Sequence, residues 1–428
     1  MELATGRHGT SDAPLPIAPQ PARRAGPGKS TKISPQTRTV QPAEQDEWTP
    51  PPPVTLADGT RVQLYKDGEG LLAAYQAIKS ARRFIGLEVY IFAEDDTGRA
   101  FADLLCEKAR QGLRVFVIYD AFGTRGFTGA EPAMFQRMRN CGARVQVFHP
   151  TRPWECLYSW RPANRDHRKL LVIDGDIAGL GGLNIGREYG GSGLVPKRLK
   201  KNEYWRDNAI GVTGRGAHLF MHSFHKTWNY VKSGGRIRRA EYIQHPFDGE
   251  LGVLAPAPTL NSPLRPFLHR LLREAKRTLL MTMAYFAPDD PLIDGLCKAA
   301  RRGVRVRLML PGQCDVPLVR ICGRSFYDTL LTAGVEIYER QGVILHAKTM
   351  VVDEETTIIG STNLDYRSIE YNCELSAIIH SAAFGRQMCG LFENDVKFAD
   401  QIKLPEWRKR PVWDRFVQWS VSRGRYLL

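Results

Sequence analysis

His167, Lys169, Asp174, Gly181, Gly182 and Asn184 fall in the spacing H-x-K-x4-D-x6-G-G-x-N. His346, Lys348, Asp353, Gly360, Ser361 and Asn363 repeat it, with Ser for the second Gly. Five fixed residues at fixed spacing match by chance at roughly one position in three million, so two copies in 428 residues are not accidental. In an extended strand, residues i and i+2 point to one face. Each copy therefore presents an imidazole beside an ammonium. Brought together, the copies supply a nucleophile, an acid for a leaving group and positive charge for phosphoryl oxygens, a set that suits a phosphodiester.

The elements that must position these groups are also duplicated. Gly70–Arg82, Arg99–Gln111 and Met134–Asn140 read as helices alternating with strands at Phe84–Phe92, Leu113–Tyr119 and Ala143–Phe148. The second half repeats the order: helices at Phe267–Arg277, Pro291–Arg302 and Arg324–Ala333, strands at Thr278–Phe286, Val304–Leu310 and Val335–Tyr338. Ala109-Arg-Gln-Gly-Leu-Arg-Val115 aligns with Ala300-Arg-Arg-Gly-Val-Arg-Val306. The expected fold is α/β: two similar halves with pseudo-twofold symmetry, each a mixed, mainly parallel sheet flanked by helices. The active site should lie at their interface, on the axis where the two motifs can meet. The expected division is a disordered Pro/Arg-rich arm over 1–53, halves over 54–250 and 251–402, and a basic Trp-rich tail over 403–428.

Each motif reads as a hairpin with its His and Lys at one end. The small residues Gly182 and Ser361 are expected to permit close approach of a ligand phosphate, and Asn184 and Asn363 to donate to its oxygens. Asp174 and Asp353 belong to the catalytic string but lie beyond their Lys, and read as anchors of the hairpin. Asp207 and Glu374 open the next strand in each half and are candidates to orient the imidazoles from behind.

Lys and Arg exceed Asp and Glu by 60 to 45, a net charge of +15. That implies an anionic partner, nucleic acid or an anionic membrane surface. The eight cysteines show no zinc-type spacing and read as reduced thiols. No apolar run reaches the ~18 residues of a membrane span, and an apolar signal-peptide core is lacking. Contact with lipid is expected to be peripheral. His218, His222 and His225 sit at helical spacing without a carboxylate partner, and their apolar neighbours favour packing over a metal. A Gly-rich, basic stretch over 186–201 has no counterpart in the second half and reads equally as a plain surface insertion or as a loop that gates a ligand or grips its headgroup. In the tail, Val412, Phe416 and Trp419 fall at i, i+4, i+7 among arginines, a pattern that fits a membrane interface or a docked helix.

The two motifs resemble the HKD signature of the phospholipase D superfamily. Asp166-His-Arg-Lys-Leu-Leu-Val-Ile-Asp-Gly175, Gly181-Gly-Leu-Asn-Ile185, Ala284-Tyr-Phe-Ala-Pro-Asp289 and Gly360-Ser-Thr-Asn-Leu-Asp-Tyr-Arg-Ser368 are similar to its cardiolipin synthase family, in the form without N-terminal membrane helices, over residues 60–400. The resemblance implies two phospholipase D-like halves and a ping-pong phosphatidyl transfer, from phosphatidylglycerol or another phospholipid to a second phospholipid. His167 would form a phosphohistidine and His346 would serve as acid and base. Lys169, Lys348, Asn184 and Asn363 would neutralise the transition state, with the two lysines in place of a metal and no cofactor. It also implies a peripheral location on the cytoplasmic face of the cell membrane. Hydrolysis of phospholipid or nucleic acid is the alternative reaction, with nucleic acid the less favoured partner. The sequence leaves the oligomeric state open.

Overall fold

The apolar runs build two sheets of the same plan. The first, in spatial order, is Val54–Thr55, Arg61–Lys66, Asn208–Thr213, Ile177–Gly181, Leu170–Ile173, Phe84–Val89, Arg114–Asp120 and Arg144–Phe148. The second is Ala399–Ile402, Glu336–Ile344, Arg305–Gln313, Thr278–Met283, Lys348–Val352, Thr356–Gly360, Ser376–His380, Leu251–Leu254 and Phe247–Asp248. The computed structural model describes residues 48–126, 129–156, 160–191, 193–194, 199–235, 247–256 and 262–427. The arm expected over 1–53 lies outside the described residues up to residue 47, as do Lys197 and Arg198 of the basic stretch. Residues 49–428 form one unit, and each half carries its own apolar core.

The sheets are mixed, but the parallel share is smaller than expected. Within these two sheets, among the described residues, only the three-strand blocks joined by helices, 84–89/114–120/144–148 and 278–283/305–313/336–344, pair in parallel; a separate two-strand parallel pair joins Phe286–Ala287 to Leu364–Asp365. The motif strands join these blocks antiparallel, and each also pairs antiparallel with the strand that follows it, as the tight turn between them requires. The crossover helices are set by their ends. Asp95 and Asp289 cap Asp96–Arg110 and Asp290–Arg301 by accepting from Gly98 N and Leu292 N, each at 3.0 Å. Gly112 and Gly303 follow these helices at φ 90° and 92°, a conformation that favours glycine. The helix expected over 324–333 is two shorter ones, Pro317–Arg324 and Tyr327–Thr332.

Asp174 and Asp353 sit at the hairpin turns, both at φ 55°. The Asp174 carboxylate accepts from the backbone N–H groups of Arg82, Arg83 and Phe84, each at 2.8 Å. Asp353 accepts in the same way from Lys276, Arg277 and Thr278. Each thus ties its hairpin to the start of the adjacent parallel strand. These bonds hold both carboxyls below their ordinary pKa, against the opposing effect of burial.

We predict that Asp174→Ala or Asp353→Ala lowers stability by about 2 kcal/mol, through three stranded donors and a left-handed backbone that alanine disfavours. Urea denaturation measures the loss. Asp→Asn at either position should retain more than half of it, since asparagine still accepts and tolerates this φ.

Candidate active site

The motif strands Leu170–Ile173 and Lys348–Val352 run antiparallel to the central strands of their sheets, so His167 and His346 stand at the carboxyl ends of the parallel blocks. There the halves are stitched by backbone. His167 N donates to Cys373 O at 2.9 Å and Cys373 N to Arg165 O at 2.8 Å. His346 N donates to Arg206 O at 2.8 Å and Arg206 N to Ile344 O at 2.9 Å. The residues that follow Arg206 and Cys373 are Asp207 and Glu374. Each His is therefore placed beside the carboxylate of the opposite half.

Glu374 receives His167 Nδ1 at 3.0 Å, and Asp207 receives His346 Nδ1 at 2.7 Å. With Nδ1 occupied, Nε2 of each ring is left for chemistry. Both carboxylates are fully buried, and the two His and two Lys are buried as well. Lys169 Nζ donates to His167 O at 2.6 Å, and Lys348 Nζ donates likewise to His346 O. The ammonium groups are thereby pinned beside their own imidazoles. Aromatic rings wall the site: Tyr90 lies 5.1 Å from the His167 ring, and Trp205 and Tyr189 lie 5.1 and 5.7 Å from that of His346.

The charged groups of each motif act on those of the other. Burial and the charge of Lys348 push Lys169 down to about 7. Burial pushes Lys348 down to about 8, against the pull of Asp207 and Glu374. Burial, Lys348, Lys169 and His167 together hold His346 well below the usual histidine range. Burial and Lys169 also lower His167, although Glu374 opposes them. The carboxylates differ. Burial raises Asp207 to about 6. For Glu374 burial is outweighed by His167, Lys169 and the Ser361 hydroxyl, which hold it below its ordinary value. Glu374 accepts from Ser361 Oγ at 2.5 Å, Ser368 Oγ at 2.8 Å and Asn372 Nδ2 at 3.3 Å besides His167.

The contacts of the small residues differ from the expected approach of a phosphate. A Cβ at Gly182 would overlap the Asp207 carboxylate. The Ser361 hydroxyl donates to Glu374 and accepts from Leu375 N. Both positions make room for, or bind, the orienting carboxylate. Asn184 and Asn363 use Oδ1 to hold the loops after the central strands, accepting from Ile91 N and Tyr285 N. Asn184 Nδ2 donates to Tyr189 Oη at 3.0 Å. The histidines at 218, 222 and 225 are not drawn together on a ligand: the His225 ring packs edge-on to Phe84 at 5.9 Å. No group of three or more His, Cys, Asp or Glu with metal-holding geometry occurs among the described residues.

Sequence reasoning missed two features. One is the aromatic wall, of which only Trp205 carried a signal, two residues before Asp207. The other is Arg206, fully buried, whose guanidinium pairs with Asp395 of the second half at 2.7 and 2.8 Å. Nothing in the sequence links residues that far apart.

Residues 75–189 and 268–396 match the family model described as cardiolipin synthase, PLD-like domain. The chain is 34% identical to the cardiolipin synthase of Geobacillus thermodenitrificans, over 87% of this chain and 72% of that protein. It is 32% identical to the major cardiolipin synthase ClsA of Bacillus subtilis, over 81% of this chain and 70% of that one. Its fold is similar to the crystal structure of phosphatidylserine synthase from Haemophilus influenzae, with a TM-score of 0.65 at 16% identity, covering 86% of this chain and 95% of that one. Two HKD motifs in two like halves, a family match across both and one-third identity over most of the chain place this protein in the cardiolipin synthase family of phospholipase D-type phosphatidyltransferases.

Proposed function

We propose that the protein makes cardiolipin by moving a phosphatidyl group from phosphatidylglycerol to the hydroxyl of a second phosphatidylglycerol. The observation that carries this reading is the pair of buried imidazoles, each backed by a carboxylate of the other half and flanked by a buried lysine. His167 Nε2 attacks phosphorus and the P–O bond to glycerol breaks. His346 gives its proton to the departing oxygen. The incoming lipid hydroxyl then returns a proton to His346 as its oxygen displaces His167 from phosphorus. The ionised Glu374 favours His167 as nucleophile, because a phosphorylated imidazole is cationic and is stabilised by a fixed negative partner. Lys169 and Lys348 face the phosphoryl oxygens, with Asn363 Nδ2 as a further donor.

The acid form of His346 must arrive with the substrate. In the unliganded site the lysine charges add to burial in keeping it neutral. A phosphodiester anion between the lysines offsets that repulsion and raises the proton affinity of all three groups.

The same reading places the protein peripherally on an anionic membrane, at its cytoplasmic face. No helix among the described residues is long and apolar enough to cross a bilayer. Of the two alternatives left open by the tail's sequence, a docked helix is met on one side, and the exposed rings of the other side support the membrane reading. Trp407 is buried against Tyr327, with centroids 5.0 Å apart, and helix Val412–Arg423 packs on Pro317–Arg324 through its Gln418 and Val421 side. Its other side exposes Val412, Trp413, Phe416 and Trp419, with the Trp413 and Phe416 rings 5.5 Å apart. Trp154 and Trp160 are exposed on the segment after Arg144–Phe148 in the first half. These rings stand on, or pack against, segments that leave the carboxyl ends of the parallel strands, the end that holds the His pair. Such an arrangement lets rings enter the interface while arginines meet headgroups.

Three results are expected. With phosphatidylglycerol in mixed micelles and a chelator present, the purified protein forms cardiolipin and glycerol. His346→Ala slows turnover about 10²–10⁴-fold and accumulates a phosphatidyl-enzyme, whereas His167→Ala forms none. Accumulation in His167→Ala instead would exchange the two roles, and release of phosphatidic acid alone would make the enzyme a hydrolase.

Second, tungstate binding should take up protons. Burial lowers Lys169 to about 7 and Lys348 to about 8, so an anion that restores their charge binds best below these values. Affinity falls as pH rises above about 7, by up to about tenfold per pH unit for each lysine. Calorimetry in buffers of different ionisation enthalpy measures the uptake.

Third, replacing Trp413, Phe416 and Trp419 together by Ala should weaken binding to vesicles of phosphatidylglycerol more than about tenfold, while high salt weakens the parent protein as well. Unchanged sedimentation with vesicles would remove the tail from the membrane contact.

A further inference from the structure

Duplication left one internal difference between the halves that the chemistry does not require. In the first half an apolar cavity of about 370 Å³ lies between helix Glu69–Ser80 and the sheet. In the second half the same place, beneath helix Leu264–Glu274, retains about 10 Å³. The two positions are equivalent. Each helix ends one residue before an alanine, Ala81 or Ala275, and the next backbone N–H, of Arg82 or Lys276, binds the motif Asp. Counting back from those residues pairs Gly70 with Leu264, Ala73 with Phe267 and Ala74 with Leu268. Across the gap, Gly179 and Ile358 each lie five residues beyond their motif Asp. All of these residues line their respective spaces. Phe267, Leu268 and Ile358 fill in one half what Ala73, Ala74 and Gly179 leave open in the other, while at Gly70 the space is already taken by Leu183 and Ala209.

The cavity also has a direction. It runs beside strand Ile177–Gly181, from Arg61 and Thr213 at one end to Gly181, Ala209 and Lys169 at the other. Four strand steps span about 13 Å. Its inner end is therefore the catalytic lysine, and its walls are mostly aliphatic. A Cβ on Gly179 would touch nothing closer than 3.9 Å, so the space beside it is real and a side chain can enter it.

We infer that this cavity is an acyl-chain site: it takes one hydrocarbon chain of the lipid whose phosphate lies between Lys169 and Lys348. The inference rests on the phospholipid reading above and deepens it. It assigns the first half alone to holding a chain, so that the two lipids of a transfer reaction meet unequal surroundings at a nearly symmetric centre. The volume lies within the range of small-ligand pockets, and an apolar chain gains by leaving water for such walls.

The test measures binding and not turnover. The full-length protein is titrated with a series from hexyl to dodecyl phosphocholine, each below its micelle concentration. In the parent protein the dissociation constant should fall about fourfold per added methylene, levelling off once the chain fills the cavity. Gly179→Ile and Ala74→Leu, which install the second-half residues from opposite walls, should each flatten that dependence, while thermal unfolding verifies that each variant is folded. Should one variant fail to fold, the other decides from the facing wall. A parent protein without chain-length dependence, or folded variants that keep it, would overturn the proposal. Because no catalysis is read, the functional reading fails separately: chain-length-dependent binding without any phosphatidyl transfer would leave the cavity assignment and remove the transferase.

Discussion

Everything at the centre of this molecule depends on the crossing of the two His–carboxylate pairs. His167 is oriented by Glu374 and His346 by Asp207, so neither half holds a complete His–carboxylate pair. The crossing is enforced by backbone bonds on both sides of the axis, and by the buried Arg206–Asp395 pair between the halves. A buried ion pair adds little net stability, but breaking one by removing a single partner is costly. The interface can therefore exist only in the register that satisfies every carboxylate. That register is also the one that leaves Nε2 of each ring free of its orienting carboxylate.

The same crossing explains how two lysines are tolerated in a dry site. Each ammonium donates to the carbonyl of its own histidine, and each feels the carboxylates from across the axis. Even so, burial and mutual repulsion leave Lys169 close to discharge at neutral pH. An anion placed between the lysines would offset this repulsion. Positive groups held at fixed positions before the anion arrives need not reorganise as charge develops on phosphorus, which is the largest contribution such a site can make.

Much of this was legible in the sequence because the repeat is strict where the chemistry is. The motif strings located His167, Lys169, His346 and Lys348, and the offset between halves pointed to Asp207 and Glu374. Which carboxylate serves which imidazole was not legible. A repeat fixes what corresponds to what, whereas partner choice depends on where the axis passes. The work of Gly182 and Ser361 was hidden for the same reason: their reason for being small is a carboxylate met only after folding. The extent of antiparallel pairing was underestimated because helix–strand alternation reports the crossover units and is silent on how hairpins attach to them. Arg206 and Asp395, 189 residues apart, share no local pattern at all.

Pseudo-symmetry with unequal surroundings is what a two-step transfer needs. In the first step one imidazole must bind phosphorus and the other must hold a proton. A perfectly symmetric site would give both rings the same basicity and no preference. Here the divergence falls on the residues behind the rings. Glycine faces Asp207 in one half, and serine donates to Glu374 in the other. Glu374 collects four donors and is held ionised, whereas Asp207 is raised to about 6. On the proposed mechanism, the ring backed by Glu374 is the one better able to carry the positive charge of a phosphohistidine, and the ring backed by Asp207 the one readier to give its proton away. A fold built by doubling one half thus acquires a direction through substitutions that leave the backbone plan unchanged.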